Sequence, residues 1–72
     1  MNMIGDIAMD LRRAALGSDK TSQVFLREAA KKRSSIGKDT PEYIKKILRD
    51  FGRTKEDLLM QSILLQNYAT RH

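Results

Sequence analysis

The chain has 72 residues, no cysteine, one histidine and one proline, and its 14 Lys and Arg against nine Asp and Glu give a net charge of +5. A chain this short makes one domain, residues 1–72, at the lower edge of what folds alone; with no disulfide and no histidine cluster for a structural metal, oligomerisation is the expected support. The composition also offers no thiol nucleophile, a lone His72 at the chain end and no glycine-rich strand-to-helix loop to cradle phosphate, so a non-enzymatic protein without cofactor or metal is expected.

Apolar spacing predicts an all-α fold, a compact array of four short helices at about 4–16, 19–34, 41–50 and 55–69. The first starts near Asp6, or as early as Asn2, and places Ile4, Ile7, Ala8, Leu11 and Ala15 on one face. Arg12 and Arg13 fall in its final turn, where cations suit the helix dipole, and Gly17 is expected to end it in the left-handed conformation. Asp6 and Asp10 share a face one turn apart, but two carboxylates without histidine are expected to be solvated rather than to hold a metal.

Ser18 or Asp19 is the expected cap of the second helix, whose buried stripe is Ser22, Phe25, Leu26, Ala29 and Ala30, with small residues that allow close helix approach. Lys31, Lys32 and Arg33 form its cationic last turn ahead of Gly37. In the third helix, Thr40 or Asp39 is expected to cap and Pro41 to take the first helical position. Ile44, Ile47, Leu48 and Phe51 make its inward face, and Lys45, Lys46 and Arg49 lie away from it. The short connection through Gly52 predicts that the third and last helices form an antiparallel or steeply crossed pair.

The last helix has Thr54 as its N-cap with Asp57 three residues on, and no charge follows until Arg71. At about 100° per residue, Leu58, Leu65 and Ala69 lie on one side, Leu59 and Ile63 on another, and Met60, Leu64 and Tyr68 on a third. Gln61, Ser62, Gln66 and Asn67 interrupt without charge, the pattern of a helix surrounded by protein. A homo-oligomer required for the fold is therefore expected, with Leu58, Met60, Ile63, Leu64, Leu65 and Tyr68 at its interface. The segment is too short and too rich in amides to span a bilayer, which takes about 20 mainly apolar residues. Absence of cysteine fits a reducing compartment, no secretory signal is read, and a cytoplasmic location is expected.

The positive charge is concentrated in the middle: residues 27–55 hold ten basic and four acidic side chains. Lys31, Lys32, Arg33, Lys45, Lys46, Arg49 and Arg53 are the candidate contacts for an acidic protein or for nucleic acid. Residues 47–59 resemble the first half of a repressor-type helix-turn-helix over about a sixth of the chain, but an apolar helix continues where a polar recognition helix is needed. Residues 17–29 resemble the entry to a ribbon-helix-helix, with a predicted helix in place of the preceding strand. Neither fragment names a family. The basic amphipathic third helix also fits a membrane surface, although a core-facing helix of a basic domain has the same pattern. The reading is a small interaction or regulatory protein that self-associates through its last helix, with a nucleic-acid-binding regulator as the alternative.

Overall fold

A computed structural model describes residues 3–71 as helices α1 (Met3–Leu16), α2 (Asp19–Lys32), α3 (Glu42–Arg49) and α4 (Lys55–Arg71), with a 3-10 turn at Arg33–Ser35 after α2. No strand occurs among the described residues; the alternative start at Asn2, and His72, lie outside them. Helices α2 and α4 begin where side chains can satisfy free N–H groups. Ser18 Oγ accepts from the Thr21 N–H at 3.3 Å, and Thr54 Oγ1 accepts from the Asp57 N–H at 3.0 Å.

At α3 the expected cap is corrected. Pro41 itself holds the N-cap position, with extended backbone and no side-chain cap, and its carbonyl accepts from the N–H groups of Ile44 and Lys45. Thr40 Oγ1 turns back to donate to the Gly37 carbonyl at 2.9 Å, so its hydroxyl serves the preceding turn. Gly17 is corrected too, because no glycine among the described residues has positive φ. Its need is steric: a Cβ there would stand 2.8 Å from Thr21 Cγ2 and 3.0 Å from the Arg13 carbonyl oxygen, where the chain reverses between α1 and α2.

The core is organised on α1, which packs along both α2 and α4. Ile4, Ile7, Ala8, Leu11, Ala14 and Ala15 are buried on α1, and they meet Ala29, Ile44, Leu48, Leu58 and Leu65 in one cluster. Small side chains make the double packing possible: Ala8, Ala14 and Ala15 lie buried on α1, Ser22 and Ala29 on α2, and Ser62 on α4. Ser22 Oγ donates to the Ala14 carbonyl, so the polar atom costs little where it is buried. Of the two expected arrangements of α3 and α4, antiparallel or steeply crossed, extended packing of the one along the other does not form. Instead α3 inserts Ile44 and Leu48 into the shared cluster, and Tyr43 meets Tyr68 edge to face with ring centroids 6.5 Å apart. Within the single chain only Leu58, Ser62 and Leu65 are buried along α4.

Among the described residues a single ion pair reaches into this core. Asp10, expected in solvent, is buried on α1, and its Oδ2 accepts from Lys32 Nζ at 2.7 Å at the end of α2. That hydrogen bond holds the Lys32 pKa above the ordinary value of 10.5, the charges of Asp10, Asp6 and Glu28 add to it, and burial opposes it. A raised lysine pKa contributes stability that is complete below the unfolded value and is lost as pH rises through the folded one. Lys32→Met should therefore cost about 2 kcal/mol by stranding a buried carboxylate, and adding Asp10→Asn should recover most of it. Urea midpoints measured from neutral pH to beyond the lysine range check both points: the wild-type midpoint should fall more steeply in alkali than that of the double variant.

The caps give a second prediction. Thr54→Ala and Ser18→Ala should each cost about 1 kcal/mol, and Thr40→Ala about 0.5 kcal/mol or less. Denaturant midpoints of the three single variants read this order directly.

Candidate functional site

Two surfaces stand out, one apolar and one basic. The apolar one begins on α4, where burying Leu58 and Leu65 against α1 turns the opposite side of the helix outward. Leu59, Met60, Ile63 and Leu64 remain 36%, 60%, 48% and 42% exposed. Across a groove of about 520 Å3 lined by Met9, Arg12, Leu16, Leu59 and Ile63, the exposed Met9 and Leu16 of α1 continue the same surface. Its polar margin on α4 is made of the amides Gln66 and Asn67, which leave the α4 part of the surface without charge.

The expected interface residues therefore divide. Met60, Ile63 and Leu64 are available to a partner, whereas Leu58 and Leu65 are 3% and 0% exposed and belong to the chain's own core. Tyr68 is partly buried with its ring against Tyr43. Leu59, Met9 and Leu16 were missed as members of the surface. Leu59 could have been assigned from helical spacing alone, since it lies one turn before Ile63; Met9 and Leu16 required knowledge of which side of α1 meets α4.

Most of the expected cations have intrachain partners. Lys32 is held by Asp10; the Arg33 guanidinium donates to the Leu48 carbonyl at 3.1 Å and lies 5.7 Å from the Phe51 ring centroid, closing the C-terminal end of α3. Lys45 Nζ donates to the Lys38 carbonyl at 3.1 Å, and Arg49 pairs with Glu42 at 2.8 Å. Lys31 is near Glu28 at 3.6 Å. Lys46 and Arg53 are exposed on α3 and in the following loop. Arg33, Lys45 and Arg49 come together at one cleft of about 320 Å3 over Ile36 and Leu48, while Lys46 and Arg53 lie outside its lining. The loop bearing Arg53 is fixed by Gln61, whose Oε1 accepts from the Gly52 N–H at 2.8 Å.

Among the described residues, no group of three or more His, Cys, Asp or Glu side chains could hold a metal ion, and no helix is long and apolar enough to cross a membrane. No family model, curated protein or solved structure matches the chain. Its chemistry is then read from these two surfaces.

The basic cluster yields a prediction about stability. Arg33→Gln removes a bond to a helix-end carbonyl and a ring contact, and should cost about 1–2 kcal/mol. Lys46→Gln with Arg53→Gln should change stability by about 0.5 kcal/mol or less, as ordinary surface substitutions do. Thermal melts of the single and the double variant test the division into structural and solvated cations.

Proposed function

We propose that the protein is a small non-enzymatic interaction module that self-associates through the outward side of α4. The observation that carries this reading is the run of large, uncharged, exposed side chains Leu59, Met60, Ile63 and Leu64, continued by Met9 and Leu16 across the groove. Contiguous apolar surface of this kind is unfavourable in water and marks a contact with other protein. A second copy is the favoured partner because the chain carries +5 elsewhere, whereas the α4 stripe is neutral in its middle, so two copies can meet there without opposing charges. The single chain has its own core, and association is proposed to add the outward side of α4 to it.

The alternative, binding of nucleic acid or of an acidic protein through residues 27–55, has weaker support. Lys32 and Arg33 serve the fold, and Glu28 and Glu42 set negative charge beside Lys31 and Arg49. Exposed pairs of that kind contribute about 0–1 kcal/mol and could exchange for phosphate, but Lys45 also bonds the Lys38 carbonyl, and among the described residues only Lys46 and Arg53 of the seven candidates have no intrachain hydrogen-bond or ion-pair partner to release.

Leu64→Glu should abolish self-association and leave the fold intact, because the new carboxylate reaches water in the separated chain. Leu65→Glu should unfold the chain, since a charge there is buried at a cost of several kcal/mol. Sedimentation and circular dichroism on the two variants distinguish these outcomes. A wild-type chain that stays monomeric up to hundreds of micromolar, beyond the range of ordinary specific dimers, would defeat the proposal.

A further inference from the structure

The exposed stripe on α4 has charged ends of opposite sign. Glu56, Met60, Ile63, Leu64, Asn67 and Arg71 follow one another at i, i+4, i+7, i+8, i+11 and i+15, which keeps them on one helical face. All six are exposed, and neither Glu56 nor Arg71 forms an ion pair within the chain among the described residues. The neighbouring Lys55 points toward α2, where it comes within 3.8 Å of Asp19, and Asp57 is drawn toward Gly52, whose absent Cβ would collide with it. The face thus runs from a carboxylate, through an uncharged middle, to a guanidinium.

Such a face is complementary to itself only when reversed. A parallel copy sets Glu56 beside Glu56 and Arg71 beside Arg71, and the helix dipoles then also run the same way. An antiparallel copy related by a two-fold axis between Ile63 and Leu64 sets Ile63 opposite the partner's Leu64, Met60 opposite the partner's Asn67, and Glu56 opposite the partner's Arg71. The symmetry repeats each contact, giving two reciprocal ion pairs that flank an apolar centre. Helix-dipole preference alone explains an acid at the first turn and a base at the last. It does not explain why one of each shares the face that carries Met60, Ile63 and Leu64.

Resting on the self-association proposed above, we infer that α4 pairs with a second copy in antiparallel, two-fold symmetric register, with Glu56 and Arg71 as reciprocal partners. The pairs act as a register and orientation device, as interhelical charges do where a short apolar seam could slide.

Charge reversal and cross-linking test it. Glu56→Arg and Arg71→Glu each turn two attractive contacts into repulsive ones, and each variant alone should self-associate about tenfold more weakly than wild type at low salt. An equimolar mixture of the two restores both pairs and should associate as tightly as wild type. The chain has no cysteine, so Met60→Cys and Asn67→Cys report orientation directly. Mixed together they should form the disulfide-linked dimer rapidly, and Met60→Cys alone slowly. If wild type dimerises but Glu56→Arg dimerises equally well, or Met60→Cys links most rapidly to itself, the antiparallel register is wrong while self-association stands. If wild type does not dimerise, both fall.

Discussion

A helix can be flanked closely on two sides only where its own side chains are short, and α1 meets that condition. Ala8 lines the same groove as the buried Ser62 of α4, Ala15 lies two turns further along on the side of Ala8, and the carbonyl of Ala14, about a third of a turn around from Ala8, accepts from Ser22 of α2. Small contacts bring the backbones together, so that the larger Ile4, Ile7 and Leu11 fill the remaining space with Leu58, Leu65, Ile44 and Leu48. The rest of the molecule depends on this packing. Because α1 takes the inward side of α4, the other side of α4 is left in water; because α1 carries Asp10 into the interior, α2 must end on a cation that can reach it.

The cations at the end of α2 therefore do work that a count of charges conceals. Lys32 neutralises a carboxylate of α1, and the next residue, Arg33, reaches the last turn of α3 through the Leu48 carbonyl. A planar guanidinium can bond a carbonyl and lie near an aromatic ring at once, which suits Arg33 beside Phe51. These two contacts tie three helices together through one short 3-10 turn, although α3 does not lie alongside either α2 or α4. The basic middle of the chain is in this respect partly scaffold through Lys32 and Arg33, while most of its other cations are exposed.

The outward side of α4 has the opposite character. Its apolar residues are not needed to close the core, yet they form a continuous stripe whose only charges are at its two ends. Scattered exposed leucines are ordinary on protein surfaces; a row of four large apolar side chains on one helix, joined to Met9 and Leu16, is the ground for the proposed self-association. Its length is that of one helix, so the association it can support is modest in area, and opposite charges at the ends contribute more to orientation than to strength.

What the sequence by itself determined was local. Helical periodicity placed α1 and its inward face, glycine and proline marked the breaks, and the hydroxyls of Ser18 and Thr54 marked two helix starts, because each of these depends on residues within a turn of one another. The sequence could not settle the rival caps at α3, since Pro41 can start a helix without a side-chain cap when its carbonyl is free to accept. It could not show that Asp10 is buried, because that depends on a lysine 22 residues away. Nor could an apolar pattern nearly all round α4 reveal which side faces the chain's own core. Periodicity gives the angle between residues on a helix but not its rotation about its axis; that is fixed only when α1 packs against Leu58 and Leu65 and leaves Met60, Ile63 and Leu64 outside.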